Sequence, residues 1–466
     1  METRLEEGGR DGEGAAKGKG PLNVLLVGYN GANNTGAEAR LVAVIDDVRT
    51  VLGPDAVITI PALNMRNLRR YVRETPNTRI VHLPTVFWPR LWRLARRSDL
   101  VMLVEGSTYI DTYTSGLLKA YLWATRCAKN ADKACIAYAV DAGEMSPANK
   151  SDAVREANRT DLIITRTQGA ADLLRRIGVK APIEVTADTA LSFRPDGGRL
   201  DTTEDPWWSS HGGVVGLAMV DFHRLPVVMK LWGPSRDCYK WPFYYSTSKD
   251  RARASERLAR SFVEQVDRLT ERHGCGVALI CMDQMDEDLA HRVQGRVRDP
   301  GRVRVLSSRD YNASEMTRAL RSLRVLVTSR YHAAVLAMEA GVPTIAVGHD
   351  ARLRELFNDM GLREELFLEY DREDLFEALD ARIEQLMSSP EGVRAAVLAC
   401  HRTYMGRVGL NRELLREFVR GMGAPNTAGA ATPSTSRATG GSHARGRPGT
   451  PTPRPRRDGY GAPGGR

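Results

Sequence analysis

The chain has 466 residues, of which 42% are hydrophobic and 27% charged, and its formal net charge is +10. Residues 424–466 hold seven arginines against one aspartate, so the rest of the chain lacks the basic stripe typical of a nucleic-acid-binding domain. The six cysteines form no C-x-x-C pair, which argues against a zinc or disulfide framework and favours a reducing compartment. We therefore expect no nucleic-acid partner and no metal site.

The two ends of the chain differ in composition from its middle. Residues 1–20 are rich in glycine and charge, and residues 424–466 in Pro, Gly, Thr, Ser and Arg, so both are predicted to be disordered tails. The beginning is too acidic for a signal peptide, and no run of about eighteen apolar residues predicts a transmembrane segment. We expect a cytoplasmic protein, either in solution or in peripheral contact with the inner face of the membrane.

Strand-like and helix-like segments alternate between these tails. LNVLLVG (22–28) is an apolar strand-like run, GAEARLVAVIDDVRTVL (36–52) has helical periodicity, and similar pairs follow. Short apolar strands alternating with helices predict an α/β fold with parallel sheets covered on both faces. We predict two doubly wound Rossmann-like domains, with these bounds: N-terminal domain 21–193, linker 194–213, C-terminal domain 214–390, and a helix at 391–423 that packs back on the body.

The turn GYNGANNTGAEA (28–39) joins the first predicted strand to the first helix. It is neither G-x-G-x-x-G nor a P-loop, since the lysine is missing. A glycine-rich helix start can hold an anion or a hydroxyl-rich ligand, which makes Asn33, Gly36 and Glu38 candidate binding residues. The alternative is an ordinary strand–helix turn capped by asparagine.

Two further strand ends carry polar residues toward the predicted cleft. In VEGSTYIDTY (104–113), Glu105, Gly106 and Ser107 are expected at the carboxyl end of the strand, inside the cleft. Thr108, Asp111 and Tyr113 could form hydrogen bonds to sugar hydroxyls, although a polar loop with a helix cap explains this stretch equally well. In TRTQGAADLLRRIGV (165–179), Arg166 comes just after a predicted strand and before a helix, and it could hold a phosphate or carboxylate through two parallel bonds. The alternative for Arg166 is a surface arginine.

The strongest local signal is SRYH (329–332), at the junction of a predicted strand and helix. Ser329 and Arg330 lie beside the backbone N–H groups of the helix start, where Arg330 can hold an anion. His332 can supply or remove a proton near neutral pH. One strand later, Asp350 is either a further ligand or simply the cap of the next helix.

An aromatic-rich insert at 226–248 departs from the alternation and contains Trp232, Trp241 and Tyr244. It could form a platform for a sugar ring or a lipid-linked acceptor, or pack on the body of the protein.

These segments together resemble the polysaccharide pyruvyl transferase family. The matching stretches follow the family's order across roughly residues 22–390: GANNTGAEA, EGS with Asp111 after it, TRTQGA, VTADTAL, SRYHAAVLAMEAGVP and HDARLRELFNDMGL. The last two are the most specific. The resemblance implies a two-lobed fold like that of the B-type glycosyltransferases. It also implies transfer of the enolpyruvyl group of phosphoenolpyruvate to two hydroxyls of a sugar, which forms a cyclic ketal and releases phosphate.

The resemblance also implies roles for the strand-end residues. Arg330, the helix start and Arg166 would hold phosphoenolpyruvate, and His332 would transfer the proton, with no cofactor besides this donor substrate. The acceptor could be a polysaccharide, a lipid-linked sugar or a natural-product glycan.

Three departures from the family pattern leave alternatives open. Ala37 replaces an aspartate of the first motif, Glu105 and Ser107 replace glycines of the middle loop, and Arg352 replaces a lysine. These changes could redirect the acceptor or abolish the chemistry. The alternatives are a B-type glycosyltransferase that uses a nucleotide sugar, with Glu339 at the ribose, and a non-catalytic relative.

Overall fold

The structure is a computed structural model, and it describes residues 20–112, 115–223, 225–233, 241, 243–246, 248–348 and 350–422. The predicted tail at 424–466 and residues 1–19 of the N-terminal tail lie outside these ranges. All described residues belong to one compact unit.

The first sheet has seven parallel strands in the order β3-β2-β1-β4-β5-β6-β7. Its strand β1 shows why the sheet is covered on both faces, since Leu25 and Val27 enter one hydrophobic cluster while Val24 and Leu26 enter another. The strands are β1 (Asn23–Val27), β2 (Val57–Ala62), β3 (Thr78–His82), β4 (Leu100–Leu103), β5 (Ala134–Val140), β6 (Leu162–Thr165) and β7 (Ile183–Val185).

The second sheet has six parallel strands in the order β12-β11-β8-β13-β14-β15. The insert at 226–248 contributes a separate antiparallel hairpin, β9 with β10. The strands are β8 (Val214–Ala218), β9 (Leu225–Met229), β10 (Phe243–Ser246), β11 (Gly276–Cys281), β12 (Val303–Ser307), β13 (Val325–Thr328), β14 (Thr344–Val347) and β15 (Phe367–Leu368). Two parallel sheets with intervening helices confirm the predicted α/β class.

Helices connect successive strands, and local sequence explains where several of them begin. Helix α1 starts after Asn34, whose side chain accepts a bond from the backbone N–H of Ala37, and it ends at Gly53, which has a φ of 84°. The first nine helices are α1 (Thr35–Leu52), α2 (Met65–Leu68), α3 (Trp88–Arg96), α4 (Ser115–Lys129), α5 (Pro147–Ala157), α6 (Gln168–Ile177), α7 (Pro206–Ser209), α8 (Lys249–His273) and α9 (Glu287–Gln294). The others are α10 (Ala313–Arg321), α11 (Tyr331–Ala337), α12 (Ala351–Asp359), α13 (Arg363–Leu366), α14 (Leu375–Ser388) and α15 (Glu391–Met422).

The long helix α15 packs on both sheets. Its Val397 and Cys400 belong to the core of the second sheet, whereas its Leu415 is buried in a cluster of the first sheet. Asn411 is fully buried and accepts a bond from the Thr186 hydroxyl at 2.7 Å. Across the described residues, no helix is both long and apolar enough to cross a bilayer.

Candidate functional site

Both sheets reverse their strand order beside their first strand, between β1 and β4 and between β8 and β13. Ligands of open parallel sheets bind beyond the carboxyl ends of the strands at such points. Helix α1 follows β1 and helix α11 follows β13, and the two helices meet. The contact is closest at Gly36, where an added Cβ would stand 2.1 Å from Nδ1 of His332.

His332 lies in the first turn of α11, with its side chain only 18% exposed. Its Nε2 atom is 3.4 Å from Oδ2 of Asp188 and 3.4 Å from Nη1 of Arg166. Burial lowers the pKa of His332, because it disfavours the charged imidazolium, although Asp188 acts in the opposite direction. The imidazole is thus held between an acidic and a basic group.

Asp188 is fully buried just after β7, and two arginines face it. Nη1 of Arg166 donates to Oδ2 of Asp188, and Nε of Arg40 lies 3.4 Å from Oδ1. Burial would raise the pKa of Asp188, but the two guanidinium groups hold it well below its usual range. Arg166 also donates from Nε to Asp141 at 3.0 Å. Two buried arginines and two buried aspartates therefore form one charged cluster, which His332 contacts through Asp188 and Arg166.

The two arginines retain hydrogen-bonding capacity. Within the described part of the chain, Nη1 of Arg40 and Nη2 of Arg166 are buried without a hydrogen-bond partner. A Cβ at Gly106 would stand 2.3 Å from Nη1 of Arg40 and 2.6 Å from Nη1 of Arg166, so only a glycine backbone fits against both. Buried donors of this kind are unusual, and an anionic ligand could accept bonds from them.

A further arginine, Arg352, shares the Tyr331 ring with Arg166. The guanidinium carbons of Arg166 and Arg352 lie 5.1 and 5.4 Å from the centre of the Tyr331 ring. Asp350 caps α12 and accepts a bond from Nε of Arg352 at 2.9 Å. Burial would raise the pKa of Asp350, but Arg352 lowers it far below its usual range. Asp350 thus has its capping role and adjoins the arginine cluster through Arg352.

Arg330 and Ser329 precede His332 by two and three residues but make different contacts. Arg330 donates to both carboxylate oxygens of Asp286, from Nε at 3.0 Å and from Nη2. Burial raises the pKa of Asp286 to about 6, against the influence of Arg330. The backbone N–H of Ser329 donates to Ala218 at 2.9 Å and extends the pairing of β13 with β8. The Arg330 guanidinium is therefore tied to the loop after β11.

Asn33 and Glu38 join the two sheets. Asn33 has a φ of 50°, and its carbonyl accepts a bond from the Ser308 hydroxyl at 2.7 Å. Glu38 is buried and accepts a bond from the backbone N–H of Ala313 at 3.0 Å. Burial raises the pKa of Glu38 to about 8. Both residues make structural contacts between the segments that flank the cluster.

In the loop after β4, Gly106 contacts the arginine cluster, whereas Ser107 and Asp111 make contacts elsewhere. Gly106 lies against the arginines, whereas the N–H of Ser107 donates to Glu105 of its own loop at 3.4 Å. Asp111 accepts bonds from the Ser146 N–H at 2.9 Å and from Nδ2 of Asn149 at 2.7 Å. Asp111 therefore ties this loop to the start of α5.

A cleft of about 390 Å³ opens beyond the carboxyl ends of β1, β2 and β3. Asn33, Asn64, Arg66, His82 and Gln284 contribute its polar lining. The cleft is large enough for a sugar ring, and Asn33 lies within the same turn of the chain as Gly36, which contacts His332.

The aromatic insert presents some of its rings to solvent. Trp232 and Trp241 are 79% and 57% exposed, whereas Tyr244 is buried. Its role as a sugar platform stays a prediction.

The family profile described as polysaccharide pyruvyl transferase matches residues 34–351, about two thirds of the chain. The chain belongs to this family. The matched region begins at the cap of α1 and ends at the start of α12, so it contains Arg40, Asp188 and His332. Membership makes the protein a transferase. No curated protein sequence matches the chain.

Solved structures support the fold that the pyruvyl transferase family implies. A Listeria monocytogenes protein assigned as a UDP-N-acetylglucosamine 2-epimerase has a TM-score of 0.57 at 12% identity, over 88% of this chain and 99% of its own. The Rickettsia bellii UDP-N-acetylglucosamine 2-epimerase has a TM-score of 0.54 at 10% identity, over 86% and 97%. Anabaena Alr3699/HepE, solved with UDP, has a TM-score of 0.51 at 12% identity, over 86% and 100%. These similarities confirm the predicted glycosyltransferase-B-like arrangement.

Two members of the pyruvyl transferase's cluster, Arg40 and Asp141, were not predicted from the sequence. Arg40 occurs inside the apolar stretch ARLVAV of α1, and a charged residue on a buried helix face was the available signal. Asp141 follows β5 directly, at the same sheet edge as Arg166. Asp188 lies in the family-like stretch VTADTAL, but the sequence predicted no role for it.

Proposed function

We propose that this protein transfers the enolpyruvyl group of phosphoenolpyruvate to two hydroxyls of one sugar, forming a pyruvate ketal and releasing phosphate. The observation that carries the proposal is the position of His332, partly exposed between Asp188 and Arg166 at the junction of the two sheets. A group that can hold or release a proton is thereby placed beside buried cationic donors.

Phosphoenolpyruvate carries a carboxylate and a phosphate, so its site needs fixed positive charge. The buried N–H groups of Arg40 and Arg166 that have no hydrogen-bond partner among the described residues support binding of these anionic groups. Asp188 and Asp141 raise the pKa of Arg166 despite its burial, so the guanidinium stays charged. In this proposal, Arg330 completes the donor site, with Asp286 orienting it.

The proton step follows from the electrostatics of His332. Burial keeps its imidazole neutral, but a bound trianion would stabilise the imidazolium and raise its pKa. Protonated His332 would then donate to the methylene carbon, which becomes a methyl group. A sugar hydroxyl attacks the central carbon and returns its proton to His332, the bond to phosphate breaks, and a second hydroxyl closes the ring. The proton of that second hydroxyl leaves with phosphate.

The acceptor belongs in the cleft beyond the carboxyl ends of β1, β2 and β3. Asn33 lines the cleft, and Gly36, in the first turn of α1, contacts His332. In the loop after β4, Gly106 lies against the arginines and Ser107 follows it. We assign Ser329, Glu38, Asp111 and Asp350 to supporting the walls of the site. A lipid-linked sugar or a polysaccharide of the cell envelope is the proposed acceptor, and the cytoplasmic side of the membrane the proposed location.

The second candidate is a transferase that uses a nucleotide sugar. The UDP bound by Anabaena Alr3699/HepE favours it, since the two proteins share a fold. The contacts of Glu339 argue against this candidate. Glu339 is the residue that would hold the ribose, but it forms ion pairs with Arg194 at 2.8 Å and with Arg321 at 2.6 Å. A nucleotide would have to displace these two arginines.

Calorimetry with phosphoenolpyruvate, beside a panel of UDP-sugars, tests the proposal. We expect phosphoenolpyruvate to bind, Arg166→Lys to weaken this binding more than tenfold, and His332→Gln to bind the donor but release no phosphate with any acceptor. Arg175→Lys, an exposed change on α6, is the matched control and should bind normally. Binding of a UDP-sugar without phosphoenolpyruvate would overturn the proposal in favour of the second candidate.

A further inference from the structure

The segment between His82 and Asp99 presents an exposed aromatic surface that the proposed chemistry does not use. Helix α3 begins at Trp88, and Trp88 and Trp92 are 45% and 43% exposed. The two residues are four apart and therefore share one face of the helix. Val86, just before the helix, is 54% exposed. We call Val86, Trp88, Trp92 and the arginines that follow on this helix the α3 face.

The charged residues of this segment are all positive. Between His82 and Asp99 the chain contains Arg90, Arg93, Arg96 and Arg97 and no aspartate or glutamate. Arg93, Arg96 and Arg97 are exposed, and none of them forms an ion pair with another described residue. The guanidinium carbon of Arg96 lies 4.6 Å from the centre of the Trp92 ring. The α3 face therefore combines indole rings with uncompensated positive charge.

The adjoining face of α3, three residues along from each tryptophan, fixes the helix on the body. Leu91 and Ala95 are fully buried in a core cluster of the first sheet. The Trp88 ring stacks on Phe87 at 4.3 Å, and the Trp88 carbonyl accepts a bond from Nε1 of Trp123 at 3.0 Å. The tryptophans are thus exposed beside the helix surface that is anchored on the body.

The α3 face continues directly from the cleft. His82, Leu83 and Thr85 line the cleft, and Val86 is the next residue along the chain. Anything that binds the α3 face will therefore lie next to the mouth of the cleft.

We propose that the α3 face docks on an anionic phospholipid bilayer. Indole rings favour the membrane–water interface, and arginines are attracted to anionic headgroups. A helix that presents both lies in the plane of the interface, and its binding depends on apolar area and on charge together. Such docking would hold the cleft at the lipid surface. This inference stands independently of the proposed transferase chemistry.

Co-sedimentation of the full chain with vesicles tests the proposal, using phosphatidylcholine alone or mixed with phosphatidylglycerol. We expect binding only to the anionic vesicles, and a reduction at high salt. Trp88→Ser/Trp92→Ser and Arg93→Glu/Arg96→Glu should each weaken partitioning about tenfold or more. The matched controls are Leu410→Ser and Arg253→Glu/Arg257→Glu, which alter exposed residues elsewhere and should bind like the parent.

Several results would overturn the proposal. Both α3 double variants could bind like the parent, which would move the contact elsewhere, for example to the arginines of 424–466. The parent could bind phosphatidylcholine equally well, or bind no vesicle. It could also form a dimer in sedimentation velocity that Trp88→Ser/Trp92→Ser dissociates, or a nucleic acid could displace it from vesicles. Thermal unfolding of each variant verifies that the chain is folded.

Discussion

His332 packs directly against Gly36. An added Cβ at residue 36 would stand 2.1 Å from Nδ1 and 2.8 Å from Cβ of the histidine. The contact joins helix α1, which follows the first strand of one sheet, to helix α11, which follows the fourth strand of the other. The imidazole can therefore keep its position beside Asp188 only if residue 36 has no side chain.

We expect Gly36→Ala to abolish transfer and to lower the free energy of unfolding by about 1–3 kcal/mol, because the new methyl group overpacks a tight contact. Urea unfolding and phosphate release measure the two effects. Gly409→Ala is the matched control, since nothing lies within 4 Å of that site on α15 and alanine favours a helix. Gly36→Ala/His332→Ala should recover most of the lost stability. Full activity of Gly36→Ala would contradict the described contact.

The buried charges around Asp188 lead to a second prediction. Asp188→Asn leaves Arg40 and Arg166 without one of their partners, which should cost about 3–5 kcal/mol of unfolding free energy near neutral pH. Because the pKa of Asp188 is lowered in the folded protein, its contribution is complete above the unfolded pKa of about 4 and is lost as the pH falls through the folded pKa. The difference between the parent and Asp188→Asn should therefore shrink in acid.

The control for this prediction is Asp172→Asn, an exposed change on α6 that should leave stability within error of the parent. A loss in Asp188→Asn that is no larger than in Asp172→Asn, or one that stays constant down to acid pH, would show that the buried cluster is not ionised as described.

Much of the fold was accessible from the sequence because both sheets are covered on both faces. Their strands read as continuous apolar runs, and their helices as periodic segments between them. Arg166 and His332 were predicted as site residues because they follow the carboxyl ends of such runs. In the structure, Nη1 of Arg166 lies 3.4 Å from Nε2 of His332.

Other members of the site depend on tertiary contacts that no local pattern encodes. Arg40 can be buried because two residues that are distant in sequence compensate its guanidinium. Asp188 forms an ion pair with it, and the backbone carbonyl of Ala139 accepts a hydrogen bond from it. Arg330 precedes His332 by two residues at the start of α11, and its side chain reaches Asp286 and not Asp188. Glu38 occupies a motif position yet contacts the backbone of Ala313, since helix packing decides its environment.

The cap of α1 leads to a third prediction. Oδ1 of Asn34 accepts a bond from Ala37, and its Nδ2 donates to Asp283 at 2.8 Å. Asn34→Asp keeps the cap but places a second carboxylate against Asp283, whose pKa burial already raises. We expect a loss of about 1–3 kcal/mol at neutral pH that diminishes as the pH falls. Asn34→Ser, which keeps a cap without the charge, should show a smaller loss with a weaker dependence on pH, because Asp283 then loses only the bond from Asn34.

The fourth prediction concerns the buried carboxyl of Glu38. Its pKa is about 8 in the folded protein because of burial, and about 4 when unfolded, so the folded state holds the extra proton between these values. Stability from this group is complete below the unfolded pKa and is lost as the pH rises through about 8. Relative to Glu38→Gln, the parent should lose about 1.4 kcal/mol per pH unit between about pH 5 and about pH 8, and nothing further above it.

Urea unfolding of the parent and Glu38→Gln across this range measures the difference, in which the other titrating groups cancel. Glu364→Gln is the matched control, because the Glu364 side chain is 97% exposed and its replacement should leave stability within error of the parent. A flat difference for Glu38→Gln as well would mean that Glu38 is ionised in the folded protein, with Arg70 compensating its charge. The bond from Ala313 would then join a carboxylate rather than a neutral carboxyl group to helix α10.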